Sequence, residues 1–223
     1  MPAVDLGSGA FVPIGWTASD ARPAAELRRV LRPAAPVLIR SAFPGRHEQV
    51  ALFRFFPEAV RVDLGIYPVQ LCSLVLGPAS HVVADGVIGA TGVDEQVAAV
   101  LRHSDGRLGV VKTAIRTVMA CTARIAGTEG SIDLPAFMHC PDAITVTTRP
   151  NGAERIDATY EDNGLAFEIA EVHRCLRQGL TESPAMTLDE TVAIASTLDA
   201  IRAQIPINDA RAASPTDAAA TSS

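Results

Sequence analysis

Two residues with acid/base chemistry, Asp63 and Tyr67, lie four positions apart in the sequence DLGIYPV at residues 63–69. In a helix this spacing places both side chains on one face, a turn apart. A free tyrosine has a pKa of about 10 and needs a nearby positive charge to transfer protons near neutral pH. We therefore interpret Tyr67 as a candidate acid/base residue and Asp63 as its support. The alternatives are a tyrosine packed at a helix start and an aspartate that is an ordinary N-cap.

The spacing of the cysteines and histidines predicts no metal site. Neither a C-x-x-C pair nor a histidine pair at zinc-finger spacing is present, and the adjacent His139 and Cys140 alone do not make a site. We expect reduced, partly buried thiols and assign no metal ligand. The cysteines are Cys72, Cys121, Cys140 and Cys175.

Other charged residues are expected to have structural roles. Lys112, the only lysine, is interpreted as an exposed sheet residue, and Arg124 as a member of a cross-strand ion pair, with substrate contact as the alternative. Glu168, Glu171 and Arg174 are interpreted as a solvated helix face. Surface or hydrogen-bonded roles are expected for three histidines, namely His81, His103 and His173.

Composition limits the partners of the chain. The 223 residues carry a formal net charge of -6, and no basic cluster suited to phosphate backbones stands out, so nucleic acid is not an expected partner. No signal peptide is recognised. Residues 64–84 are uncharged but are interrupted by Pro68, Gly77 and Pro78, which favours a helix and a strand over a membrane span. We expect a soluble, cytoplasmic protein.

The elements that must position Asp63 and Tyr67 follow from periodicity and turn signals. A helix capped by Asp63 is expected to end at Gly77-Pro78, with Pro68 in its first turn. A largely antiparallel sheet of about six strands follows, because hairpin signals at residues 104–106 and 150–152 join strand-like segments. These segments are 81–88, 95–103, 107–117, 122–126, 131–134, 143–149 and 155–160. Upstream, a short helix over 24–31 and a short strand over 37–41 are predicted.

Two further helices are expected to pack on one face of this sheet. The first, over 165–178, has an apolar stripe of Leu165, Ile169, Val172, Leu176 and Leu180. The second begins at a Thr187/Glu190 capping box and ends at Pro206.

The fold class is therefore α+β, an antiparallel open sheet with helices on one face. We expect a poorly defined segment over residues 1–60, a domain over 61–206 and a disordered tail over 207–223. The uncovered face predicts a homodimer, with burial against the helices as the alternative for the apolar residues concerned. These residues are Val83, Val87, Val97, Val110 and Ile115.

Three motifs resemble the C-terminal domain of the Gfo/Idh/MocA oxidoreductases, in particular the branch that includes dimeric dihydrodiol dehydrogenases. Residues 63–69 resemble the family's Asp-x-Gly-x-Tyr/His motif. Residues 123–132 (ARIAGTEGSI) resemble one of its strands with the following turn, and residues 182–191 (ESPAMTLDET) resemble the segment that leads into its last helix. The resemblance covers residues 62–205. It implies a glyceraldehyde-3-phosphate dehydrogenase-like C-terminal fold and hydride transfer between NAD or NADP and a sugar-like or diol substrate.

Under this resemblance Tyr67 is the acid/base residue and Asp63 supports it. The family's Rossmann fingerprint and Glu-Lys-Pro motif are absent from the sequence, because Gly7-Ser8-Gly9 lacks a third glycine and Lys112 has no such context. We therefore expect no cofactor-binding residues and no NAD(P) binding by this chain alone. The alternative is a non-enzymatic domain that dimerises or that partners a separate Rossmann chain.

Overall fold

A computed structural model describes residues 38–44, 59–89, 92–149, 151–158 and 165–205 of the chain. The helix predicted over 24–31 and the tail predicted over 207–223 lie outside these ranges. No helix within them is both long and apolar enough to cross a membrane.

Within the described residues, eight strands form one sheet with the order β2-β3-β4-β1-β5-β6-β7-β8. All neighbouring pairs are antiparallel except β1 and β4, which are parallel. The predicted α+β class and the largely antiparallel sheet are confirmed, and the seven strand-like segments and the short strand over 37–41 each overlap a strand of this sheet. The strands are β1 Leu38–Pro44, β2 His81–Ile88, β3 Asp94–Arg102, β4 Leu108–Ala114, β5 Ala123–Ala126, β6 Gly130–Leu134, β7 Ala143–Thr148 and β8 Gly152–Asp157.

Alternation along the strands divides the sheet into a covered and an open face. On β3, Val97, Ala99 and Leu101 are buried, while the residues between them are exposed. Two of the five residues expected on the dimer face, Val97 and Ile115, are therefore in the core. Val83 and Val87 are exposed on the open face, and Val110 is half-buried there.

Helix α1 spans Ala59–Leu76, so the predicted N-cap role of Asp63 and the first-turn position of Pro68 are wrong. Asp63 is the fifth residue of the helix, and Pro68 is fully buried within it. Because proline has no N–H, it costs the helix one hydrogen bond. Burial of Leu64, Val69 and Cys72 against the sheet and the last helix offsets this loss, so packing overrides the local start signals.

Helix α3, Leu188–Arg202, begins as predicted. Thr187 Oγ1 accepts a hydrogen bond from the Glu190 N–H at 3.2 Å. Its buried residues, Ile194, Leu198 and Ile201, join the core beside α1. Just beyond its end, Gln204 fixes β2, since its amide accepts from the Ala84 N–H and donates to the Val82 carbonyl. Helices α1 and α3 together cover one face of the sheet.

Helix α2, Leu165–Arg177, departs most from the sequence prediction. Ile169 and Leu176 are each 56 % exposed, and the buried residues are Glu171 and Cys175. At about 100° per residue, the buried side of α2 is turned about 120° from the apolar stripe. The predicted solvated face of Glu171 therefore points inward, and the stripe predicted to pack on the core points outward.

Candidate functional site

Tyr67 lies in the middle of α1, half-buried and packed against the core. Its ring meets the imidazole of His139, with centroids 4.8 Å apart and planes tilted by 48°. Asp63 lies one turn earlier in the same helix, as the spacing predicts. The side chain of Asp63 falls outside the described part of the structure, so the expected pairing with Tyr67 stays a prediction.

Two connections at one end of the sheet bring His139 to Tyr67. The loop between β4 and β5 carries Cys121, and the loop between β6 and β7 carries Met138 and His139. The Met138 N–H donates to the Cys121 carbonyl at 3.1 Å, which joins the two loops. Cys121 Sγ then lies 4.0 Å from His139 Nδ1. Phe137, which has a φ of 62°, stands edge-on to the same imidazole with centroids 6.3 Å apart.

Burial makes this cluster electrically neutral. Desolvation lowers the pKa of His139, so its imidazole is uncharged at neutral pH. Desolvation also raises the pKa of Cys121, with smaller opposing effects from the Met138 and Phe137 backbone, so its thiol is protonated. The cluster can orient the Tyr67 ring, but it supplies no positive charge to the phenol.

Sequence reasoning did not place His139 beside Tyr67. It weighed His139 only as a possible metal ligand next to Cys140, and no cluster of three metal-ligating side chains occurs among the described residues. The only available signal was the position of His139 in a loop between two predicted strands, and this does not identify a neighbour on α1.

The other titratable residues occupy structural positions. Lys112 is exposed on the open face, and Arg124 pairs with Asp133 across β5 and β6 at 3.3 Å, as predicted. His81 and His173 are exposed. His103 is buried, and its Nδ1 donates to the Gly77 carbonyl at 2.8 Å.

Only one nitrogen of His103 is therefore satisfied within the described structure, because its Nε2 is buried without a hydrogen-bond partner there. Desolvation lowers the pKa of this imidazole, so His103 is neutral at neutral pH.

The described residues do not fit a nicotinamide dinucleotide. Such a site needs a glycine-rich turn that leads from a strand into a helix N-terminus. Among the described residues, the glycines with positive φ follow a helix, as Gly77 and Gly179 do, lie between strands, as Gly92 and Gly106 do, or begin a strand, as Gly152 does. Residues 45–58, between β1 and α1, are outside the description, and their sequence contains a single glycine.

Sequence comparison relates this chain to a family of oxidoreductases. Residues 45–133 match the model of the GFO/IDH/MocA C-terminal domain, so the match begins upstream of residue 62, where the resemblance was expected to start. Trans-1,2-dihydrobenzene-1,2-diol dehydrogenase from Xenopus tropicalis is 34% identical over 158 residues, 66% of this chain and 46% of that protein. The enzyme of the same name from Homo sapiens is 29% identical over 153 residues, with the same coverage. The chain spans about half the length of these curated relatives.

Solved structures of low sequence identity share the fold. A 3-ketoreductase from Actinomadura kijaniata in complex with NADP and TDP-benzene superposes with a TM-score of 0.69 at 17% identity, over 85% of this chain and 60% of that one. An oxidoreductase from Agrobacterium radiobacter in complex with NAD+, L-tartaric acid and magnesium gives a TM-score of 0.64 at 19% identity, over 82% and 59%. The fold, the family model and the curated relatives agree, and residues 45–133 carry the C-terminal domain of the GFO/IDH/MocA oxidoreductase family.

Proposed function

We propose that this chain is the substrate-binding and oligomerisation domain of an NAD(P)-dependent oxidoreductase that transfers hydride to or from a diol or sugar-like substrate. The relatives named as dihydrodiol dehydrogenases support the substrate class. The observation that carries the proposal is the placement of Tyr67. It lies in the Asp-x-Gly-x-Tyr sequence of α1, with its ring held against His139 at one end of the sheet.

In this proposal the Tyr67 hydroxyl exchanges a proton with the substrate hydroxyl or carbonyl, and Asp63 supports it. General acid/base groups contribute roughly 10²–10⁴-fold to rates. Tyr67→Phe keeps the ring packing against His139 and removes only the hydroxyl. We expect it to lower kcat of the two-domain enzyme at least about 100-fold while leaving the unfolding midpoint within the range of surface substitutions. An unchanged kcat would remove Tyr67 from the chemistry.

The cofactor is proposed to come from another domain, since the described residues do not fit it. Titration of the purified chain with NADPH, followed by nucleotide fluorescence, tests this directly. We expect no saturable change in the micromolar range. Saturable micromolar binding would show that the chain holds the cofactor by itself and would overturn this part of the proposal.

The non-enzymatic alternative, a partner for a separate Rossmann chain, is favoured by one feature of α2. Ile169 and Leu176 are exposed apolar residues on this helix, Leu180 is exposed just beyond its end, and Glu171 of the same helix is buried. Contiguous apolar surface of this kind marks interaction sites. NADPH binding that appears only after addition of a neighbouring Rossmann protein, and that Leu176→Ser weakens, would support the two-chain arrangement. Val192→Ser, on the exposed side of α3, is the matched control.

A homodimer through the open face of the sheet is proposed on the exposure of Val83, Val87 and Val100. Val83 and Val100 are directly opposite each other on β2 and β3, and Val110 continues the row on β4. Sedimentation velocity should show a dimer that Val100→Asp converts to a monomer of unchanged stability. A wild-type chain that remains monomeric at high concentration would contradict this interface.

A further inference from the structure

The open face of the sheet contains a concavity of about 740 Å³ on its β4–β8 side. Lining residues occupy one row across the strands, since Val110, Arg124, Asp133, Thr145 and Arg155 follow one another in the pairing register. Position 40 of β1 completes the row between Val110 and Arg124. The volume of the concavity is within the range of small-molecule sites, about 300–1,000 Å³.

The concavity is basic, although the chain has a net charge of -6. Lys112, Arg124 and Arg155 line it, against one carboxylate, Asp133. Within the described structure Lys112 makes no ion pair, and it is exposed on the open face. The only lysine of the chain therefore shares this lining with two of its arginines.

The two arginines are anchored but accessible. Arg124 pairs with Asp133 at 3.3 Å and donates to Ser131 Oγ at 3.1 Å. Arg155 pairs with Asp157 at 2.8 Å. Their side chains remain 58% and 61% exposed, so each guanidinium keeps donors for a further acceptor. Oriented guanidinium groups bind carboxylate and phosphate oxygens in paired geometry.

The charges are spread over a distance that suits an elongated ligand. Arg124 and Arg155 are three strands apart, which corresponds to about 14 Å between backbones at about 4.8 Å per strand. Lys112 stands opposite position 42 of β1 and Arg124 opposite position 40, so their backbones lie about 12 Å apart, from about 4.8 Å per strand and about 3.3 Å per residue. Two long side chains can reach one group across this distance. The concavity thus has one basic end at Lys112 and Arg124 and another at Arg155. The hydroxyls of Thr122 and Thr145 provide further polar contacts along its lining.

We propose that this concavity binds a small molecule with two separated acidic groups, either phosphates or carboxylates. It is distinct from the Tyr67 cluster, because α1 packs on the opposite face of the sheet and no residue of that cluster lines the concavity. The proposal does not rest on hydride transfer. The bound anion would lie on the open face of the sheet, which is also the face proposed to form the homodimer.

Titration calorimetry at matched ionic strength tests the proposal with three probes: fructose 1,6-bisphosphate, adipate and inorganic phosphate. We expect saturable binding of at least one diacid, about tenfold tighter than inorganic phosphate, because the diacid engages both basic ends. A preference for the bisphosphate or for adipate identifies the acidic group. No saturable binding of either diacid would overturn the proposal, whatever the outcome of the NADPH titration.

Variants locate the binding site. Lys112→Gln and Arg155→Gln should each weaken the diacid about tenfold, because each removes a charge-assisted hydrogen bond at one end. Arg177→Gln removes the same charge from exposed α2, away from the concavity, and should leave the affinity unchanged. Equal losses in all three variants would indicate a general charge effect and refute the site. Circular dichroism confirms that each variant is folded.

Discussion

Substitution of the buried carboxylate on α2 tests why this helix turns its polar side inward. Glu171 is 7% exposed, and its Oε1 accepts from Ser183 Oγ at 2.5 Å and from Arg174 at 2.6 Å. The Arg174 hydrogen bonds, opposed by desolvation and helped by Ser183 and Cys175, lower the pKa of Glu171 from 4.5 to about 2. This difference corresponds to about 3 kcal/mol of folding free energy at neutral pH.

The sign follows from the lowered pKa. The contribution is complete above pH 4.5, where the carboxyl is ionised in both folded and unfolded chains, and it is lost as pH falls toward 2. Of the total, about 2 kcal/mol should be lost by about pH 3. Glu171→Gln should therefore lower the free energy of unfolding by about 3 kcal/mol at neutral pH and show a flatter pH dependence than the wild type.

Urea unfolding of both proteins between neutral pH and about pH 3 measures this difference. Glu154→Gln, at an exposed position of β8, controls for the loss of one acidic charge and should keep the wild-type pH dependence. Faster amide hydrogen exchange in α2 of Glu171→Gln would show that the helix is loosened locally. Parallel pH dependences for the wild type and Glu171→Gln would refute the assignment.

Three further predictions concern the packing beneath α1 and the start of α3. A Cβ on Gly109 would lie 2.7 Å from Cys72 Sγ, so Gly109→Ala should lower the free energy of unfolding by about 1–3 kcal/mol in urea denaturation. Gly127→Ala is the control, because a Cβ there meets no atom closer than 3.7 Å. Burial raises the pKa of the Cys72 thiol to about 12, so this thiol should resist alkylation in the folded protein at mildly alkaline pH. Mass spectrometry should find Cys72 alkylated only after unfolding. Modification of the folded protein at the rate of a free thiol would contradict its burial. Thr187→Ala removes the α3 cap and should cost about 1 kcal/mol in thermal or urea unfolding, with Thr128→Ala as an exposed control.

Local signals predicted the strands and the last helix because the decisive interactions there are local. Alternation and turn residues placed the hairpins, and Thr187 and Glu190 are three residues apart, so their capping contact is encoded in a short segment. The same kind of signal failed on α1. Asp63 and Pro68 both mark helix starts, yet burial of the surrounding apolar residues carries the helix from Ala59 through both of them.

Periodicity on α2 identified an apolar stripe but not the direction in which it faces. An apolar stripe indicates that one side of the helix packs against an apolar surface, and in a single domain that surface is expected to be the core. Here the hydrogen bond from Ser183, in the loop after the helix, to Glu171 fixes a different side of the helix inward. That contact joins residues on separate segments and has no signature in either one. The approach of His139 to Tyr67 escaped prediction for the same reason.

The surroundings of Tyr67 restrict where its chemistry can be completed. A phenol that exchanges protons near neutral pH needs a positive charge nearby. The described ring that packs against it belongs to His139, whose lowered pKa leaves it uncharged. The only lysine, Lys112, is exposed on the open face, while Tyr67 packs against the covered one. Among the described residues, neither His139 nor Lys112 meets this requirement. Under the proposed role of Tyr67, we expect the activating charge to come from the cofactor or from residues that the structure does not describe.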